Sequence, residues 1–261
     1  MAITVGVFGA AGRMGATVCR AVEEDPALEL VAAVDPGAAG QPIGPVAGID
    51  SSVEVVAAVE DLASPPQVMI DFTHLEAARP NLAWCAERGV HAVVGTTGFT
   101  DEDLDRFRAT FTRSNCLIAP NFAIGAILMM RFAELAAPWF ETAEVLEFHH
   151  DAKVDSPSGT AMRTVERMAA ASSDWAPDPT TTHTVAGARG GASPAGIRVH
   201  AIRMRGMVAH QEVLLGTTGQ TLSIRHDSYD RSSFMPGVVL AAKQVAQHPG
   251  LTIGLDVLLD L

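Results

Sequence analysis

Ile3-Thr-Val-Gly-Val-Phe-Gly9-Ala10-Ala11-Gly12-Arg13-Met14-Gly15 opens the chain. Its first six residues are β-branched or apolar apart from one glycine, as a buried strand requires, and Ala16–Glu24 then carries the small and apolar residues of a helix packed on a sheet. Glycines at 9, 12 and 15 sit between the two. A turn of that kind brings backbone close to a pyrophosphate and aims helix N–H groups and the helix dipole at it. A second apolar run, Leu28–Val34, ends at Asp35, 20 residues after Gly15. A carboxylate there accepts hydrogen bonds from the hydroxyls of an adenosine ribose. The glycine spacing departs from G-x-G-x-x-G by one residue, so in isolation it also fits a plain tight turn. The succession strand, turn, helix, strand, Asp favours the dinucleotide reading.

Outward from this unit the chain keeps alternating. Apolar runs at Gln67–Phe72, Val90–Val94 and Cys116–Ala119 are separated by helical segments, and the last two end in Gly95-Thr96-Thr97-Gly98 and Pro120-Asn121. Short strands with no polar face, alternating with helices, predict an α/β fold with a Rossmann-like, doubly wound parallel sheet covered on both sides. After Asn121 the rhythm changes. Helical segments at Ile124–Ala137 and beyond Gly159 flank a strand at Ala143–His150, and strand candidates follow at Ile197–Met204, Val208–Leu215 and Thr221–His226. Glycines between these last three predict antiparallel hairpins, hence a smaller α+β domain with a mixed or antiparallel open sheet. Between them, 172–196 lacks an apolar period and is rich in Ser, Thr, Pro, Gly and Ala, which predicts a long functional or mobile loop. Pro236 to Leu261 reads as an apolar helix and a short tail.

Composition removes several function classes. The 261 residues, 48% hydrophobic and 18% charged, exclude disorder, and a formal charge of −12 excludes the broad cationic surface that nucleic acid demands. The uncharged stretch 114–130 is interrupted by Pro120, Asn121 and Gly125, so no membrane span is expected. Cys19, Cys85 and Cys116 are odd in number and widely spaced, which predicts free thiols in a reducing, cytoplasmic setting.

The densest polar chemistry lies at Glu147-Phe-His149-His150-Asp-Ala-Lys153-Val-Asp155-Ser-Pro-Ser158-Gly159-Thr160-Ala161. Lys153 is one of only two lysines among eighteen basic residues. A compact, titratable ammonium thus stands where arginine is otherwise this chain's choice. Ser158-Gly159-Thr160 opens a helix whose N–H groups suit a carboxylate, and the two imidazoles complete an acid/base set near neutral pH. Adjacent histidines lack the spacing of common metal sites, so no metal is expected. A capped helix beside a solvated lysine is the bland alternative. Two other readings stay open: a non-catalytic NAD(P)-binding regulatory module, and a different two-domain reductase.

The motifs resemble the 4-hydroxy-tetrahydrodipicolinate reductase family, long called dihydrodipicolinate reductase, in its actinobacterial form. The resemblance spans nearly the whole chain and rests on Gly9–Gly15, Asp71-Phe-Thr73, Gly95–Gly98, Ala119–Phe122, the block from Glu147 to Ala161, Gly187–Gly190 and Ser232–Gly237. It implies NADH- or NADPH-dependent reduction of a small, cyclic, dicarboxylated imine precursor to tetrahydrodipicolinate with loss of water, in diaminopimelate and lysine biosynthesis. By resemblance His149 and Lys153 handle the proton, and His150, Ser158, Gly159 and Thr160 hold substrate. Gly9, Ala10, Ala11, Gly12, Arg13, Met14, Asp35, Gly95, Thr96, Thr97, Ala119, Pro120, Asn121 and Phe122 hold the cofactor. It also implies a homotetramer built through the second domain. The domains then run 1–123 with 233–261 for the dinucleotide and 124–232 for substrate and oligomerisation. Where many relatives carry an Arg after the ribose acid, this chain has Pro36. Dual cofactor use is therefore expected, with NADH at least as good.

Overall fold

β1 (Ile3–Phe8) and β2 (Leu28–Val34) form as the apolar runs predict, joined by α1 (Arg13–Glu24), which starts at the glycine turn itself. The computed structural model describes residues 1–259; the last two residues of the carboxyl-terminal stretch lie outside the described residues. There follow α2 (Ile43–Ala47), β3 (Val55–Val56), β4 (Val68–Asp71), α3 (Leu75–Arg88), β5 (His91–Val94), α4 (Asp101–Thr110) and β6 (Cys116–Ile118). Next come α5 (Ile124–Ala136), β7 (Thr142–His149), α6 (Gly159–Ala171), β8 (Gly191–Ala192), β9 (Arg198–Arg203), β10 (Ala209–Thr217) and β11 (Gln220–Ser228), then α7 (Met235–Gln244) and β12 (Leu251–Ile253). Two compact units result, one from 1–123 with the chain from Arg231 onward, the other Ile124–Asp230.

The first unit holds seven parallel strands in the order β12-β6-β5-β4-β1-β2-β3. The chain winds outward one way from β1 to β3 and the other way from β4, so the switch in direction falls between β1 and β4. In open α/β sheets the crevice beyond the carboxyl ends of the strands at such a point is where ligands bind. Val5, Val7, Ile70, Val93 and Leu117 are all at most 1% exposed, as a sheet covered on both faces demands. Buried Asp103 accepts from the Arg79 guanidinium at 2.9–3.1 Å and so locks α4 onto α3.

The carboxyl-terminal stretch contains a strand that its sequence does not announce. Leu251-Thr-Ile253 pairs with β6, held beside it by the Asn115 amide, which donates to the Val245 and Ala246 carbonyls at 2.9 and 3.0 Å. Three residues are too few to show a period.

The second unit is a five-stranded sheet in the order β11-β10-β7-β9-β8. β10 and β11 form the expected hairpin, but the hairpin expected across Gly206 does not exist. β7 lies between β9 and β10, parallel to the first and antiparallel to the second. The reason is packing. α6 is a crossover that returns the chain parallel to β7, and β7, with Ala143, Val145 and Glu147 buried in alternation, takes the central position.

Residues 172–190 carry no helix or strand, yet they are fastened to the sheet. Asp178 accepts from Arg198 at 2.5 Å, and Arg189 pairs with Glu144 at 2.5 Å. The three cysteines are unpaired and buried, and burial pushes the Cys19 thiol up to about 12. Among the described residues no helix is long and apolar enough to cross a membrane.

Candidate functional site

In the first unit the site is made chiefly of backbone. Gly9 adopts φ +64°, a region that disfavours side chains, and its carbonyl accepts the Gly12 N–H at 2.9 Å. A Cβ on Gly15 would collide with that same carbonyl, so helix and turn meet at this spacing only through glycine. Gly12 caps α1 with no side-chain hydrogen bond and no acidic residue stands in the first turn. Among the described residues the N–H groups of Arg13, Met14 and Gly15 consequently have no hydrogen-bond partner, and the dipole adds positive potential there. Ala10 is buried, Met14 half-buried and Arg13 exposed.

Asp35 follows β2, where its carboxylate accepts from the Ala11 N–H at 3.0 Å and the Gly37 N–H at 2.9 Å. It thereby ties the glycine turn to the end of the neighbouring strand. A cleft of about 730 Å³ runs along this edge, lined among others by Gly9, Gly12, Asp35, Pro36, Ala58 and Glu60. Volume, unclaimed N–H groups and a carboxylate at the strand end fit a dinucleotide.

The other residues expected at the cofactor gather at the ends of β5 and β6. Gly95 donates to the Asp71 carbonyl at 2.8 Å, and a Cβ there would strike the Phe72 ring. Buried Asp71 accepts from the Thr73 hydroxyl at 2.7 Å, the Thr96 hydroxyl at 3.1 Å and the Asn81 amide at 2.8 Å, which fixes both loops. Thr97 is exposed. Ala119 donates to the Val94 carbonyl at 2.9 Å, Pro120 is exposed, and the Asn121 side chain accepts the Ala123 N–H at 2.9 Å. Phe122 packs on Phe72 with ring centroids 5.4 Å apart.

In the second unit the site is made of side chains. His149 ends β7, and its Nδ1 lies 2.5 Å from Oε2 of Glu147, two residues earlier on the same face. Glu147 is 0% exposed. Its oxygens also accept both Nη groups of Arg203 at 2.8 Å and the Ser158 N–H at 3.1 Å. Burial alone would raise the Glu147 carboxyl, but Arg203 and His149 outweigh it and hold it below the ordinary value. Burial, helped by Lys153 and Arg203 and opposed by Glu147, keeps His149 below the ordinary histidine value, so its resting form is neutral.

Lys153 is bound to Asp155, 2.6 and 2.8 Å away, rather than to the histidine, and the Asp155 carbonyl accepts from Arg203 at 2.6 Å. Ser158 caps α6, its hydroxyl accepting the Ala161 N–H at 3.2 Å. Gly159 and Thr160 occupy the first two positions of α6, where the positive end of the helix dipole lies. A Cβ on Gly159 would meet nothing, so the space in front of it is open. His150 lies beyond the strand and is exposed. Among the described residues no cluster of three metal-ligating side chains occurs.

Two members of this site were not expected. Glu147 stands inside the singled-out block without an assigned role, and Arg203 is 56 positions away in sequence. A signal for the first exists in the period: Ala143, Val145, Glu147 and His149 share one face, so a carboxylate falls on the buried side of a central strand. Arg203 carries none.

Residues 3–122 match the family described as dihydrodipicolinate reductase, N-terminus, and residues 125–259 match dihydrodipicolinate reductase, C-terminus. The 4-hydroxy-tetrahydrodipicolinate reductase of Mycobacterium sp. (strain KMS) is 50% identical over 98% of this chain and 99% of its own length. That of Corynebacterium urealyticum (strain ATCC 43042 / DSM 7109) is 48% identical over 99% of each. The dipicolinate-bound dihydrodipicolinate reductase of Paenisporosarcina sp. TG-14 superimposes with a TM-score of 0.87 at 39% identity, over 98% of this chain and 99% of that one. Both units match, in order and almost end to end, and the chain belongs to the dihydrodipicolinate reductase family.

Proposed function

We propose that this chain reduces 4-hydroxy-tetrahydrodipicolinate to tetrahydrodipicolinate, taking hydride from NAD(P)H and releasing water, in the diaminopimelate branch of lysine biosynthesis. The observation that carries the reading is identity of 48–50% with reductases of that name over nearly full length. Bound NAD(P)H supplies the hydride. Arrival of a hydride and loss of a hydroxyl as water together consume one proton, and the chain provides groups to hold and move it. Lys153, an ammonium beside Asp155, is a proton source. His149, neutral and anchored through Nδ1, offers Nε2 to the substrate. The first-turn N–H groups of α6, with Ser158, Gly159, Thr160 and exposed His150, bind the two carboxylates.

Gly9 to Met14 hold the pyrophosphate and Asp35 the adenosine ribose, with Gly95–Thr97 and Ala119–Phe122 on the nicotinamide side. NADH works at least as well as NADPH. Among the described residues the cleft is lined by two carboxylates, Asp35 and Glu60, and by no Lys or Arg, a poor setting for a 2′-phosphate dianion. Exposed Arg13, without a side-chain partner among the described residues, supports use of both. The functional enzyme is a cytoplasmic homotetramer assembled through the second unit, a reading that the unpaired cysteines favour as to compartment. Light scattering coupled to gel filtration tests the tetramer.

The function itself is tested by following NADH oxidation when substrate is made in place from pyruvate and aspartate semialdehyde by the preceding synthase. Oxidation that requires the synthase is the expected result. NADH that binds and is never consumed would mean a non-catalytic regulatory module.

A further inference from the structure

Glu147 sits where chemistry alone justifies a charge. It is 0% exposed in the middle of a sheet, a position that an apolar side chain would fill with no loss of hydration. Yet four donors from three elements end on its two oxygens: Nδ1 of His149 on β7, the two Nη groups of Arg203 on β9, and the N–H of Ser158 at the start of α6. Arg203 continues the chain of contacts to the Asp155 carbonyl, and the Asp155 carboxylate holds Lys153. One carboxylate is thus bonded directly to the imidazole and to the cap of the anion-binding helix, and indirectly to the lysine.

An ionised carboxylate only accepts hydrogen bonds, so its partner nitrogen must carry the proton. With Nδ1 protonated, the neutral imidazole has its lone pair on Nε2 and nowhere else. We propose that Glu147 is a positioning residue of the reaction: it sets the His149 tautomer so that Nε2 keeps its lone pair toward substrate, and stabilises the imidazolium that forms when Nε2 takes up from solvent the one proton the reaction consumes and holds it for delivery to substrate. The groups facing the His149 ring are Glu147 on its own strand, Arg203 across the sheet on β9 and Lys153 on the following loop. Two are cations that disfavour a protonated ring, and Glu147 is the single anion that favours it. The same division of labour holds a catalytic imidazole in serine proteases.

The effect on rate rests on the proposed reductase function; the tautomer does not, and the experiment separates them. In wild-type protein labelled with ¹⁵N-histidine, the His149 resonances, assigned by their loss in His149→Gln, are expected to show a protonated Nδ1 and a bare Nε2 at pH 7.5. A protonated Nε2 overturns the proposal whether or not the protein turns over. Glu147→Gln, compared by circular dichroism to establish folding, is expected to lower kcat by about 10²-fold with KM for both substrates within threefold. It should also move the pH limb that belongs to His149 down by about one unit, since the ring loses its anion and keeps its two cations. A folded Glu147→Gln protein with kcat within threefold of wild type and an unmoved limb overturns it. If Glu147→Gln does not fold, the tautomer of the wild-type ring decides alone.

Discussion

The glycine turn of the first unit and the His149–Thr160 cluster of the second both receive anionic ligands in the proposed reaction, and they are built by opposite means. The turn is backbone: Gly9 at positive φ, Gly15 with no room for a Cβ, and three N–H groups without a hydrogen-bond partner among the described residues. The cluster is side chains converging from β7, β9 and the loop before α6 on one buried carboxylate. A backbone site tolerates almost any neighbour and almost no Cβ; a side-chain site tolerates shifts in backbone and almost no change of functional group. Substitutions separate the two regimes.

The largest effect belongs to the cluster. His149→Ala and Lys153→Ala each remove a proton-handling group and are expected to cost about 10²–10⁴-fold in kcat while NADH still binds, since the turn is built from the backbone of its own unit. Steady-state kinetics beside fluorescence titration of NADH checks this. A loss below tenfold for both variants would remove them from the mechanism and leave the cluster a structural feature.

Gly15→Ala is the converse. One methyl group adds no charge and removes no hydrogen bond, but it must push the Gly9 carbonyl, which is backbone. Overpacking of that kind costs about 1–3 kcal/mol. Taken from cofactor affinity, this is about 10- to 100-fold weaker NADH binding with kcat at saturation little changed. Unaltered NADH affinity would mean that the turn yields, and that the contrast between the two sites is weaker than drawn.

A gentler change, intermediate in effect, tests the cleft of the first unit. Pro36→Arg places a cation beside Asp35 and Glu60, where none lines the wall. The ratio of kcat/KM for NADPH over NADH is expected to rise about tenfold, an exposed contact of an arginine with phosphate being worth about 1–2 kcal/mol. No rise would place the 2′-phosphate away from this wall and next to Arg13.

The two constructions also explain what the sequence discloses. Backbone requirements are written locally: only glycine meets them, so Gly9, Gly12, Gly15 and the Asp35 that follows β2 are readable in one pass. The strand-helix rhythm is equally local, and five of the seven parallel strands, β1, β2, β4, β5 and β6, are expected from it, while the two-residue β3 and the three-residue β12 are not. Arg203 reaches Glu147 only because α6 carries the chain across to a parallel β9, and the placement of β7 between β9 and β10 is decided by burial of the whole sheet. Glycines flanking β9 and β10 suit a hairpin equally well, which is why one was expected there. β12 is three residues long and is defined by its neighbour β6, not by its own pattern.

The smallest effect concerns how the second unit restrains its long loop. Asp178 is held down at about 2, first by the Thr180 hydroxyl and N–H and then by Arg189 and Arg198. A carboxyl depressed in the folded state contributes stability that is complete above its unfolded value, ordinarily 3.8, and is lost as pH falls through about 2. Acid should therefore release 172–190 in that window. Hydrogen exchange corrected for intrinsic rates is expected to show protection falling there between pH 4 and pH 2, while β1 and β6, which contain no acidic residue, keep theirs. Glu144 is also held below its ordinary value: burial would raise it, but Arg189 and His200 outweigh burial. Asp178→Asn at pH 7 isolates the one carboxylate: it should reproduce the loosening without acid. Full protection of the loop in that variant would assign the restraint to Glu144 and Arg189 alone.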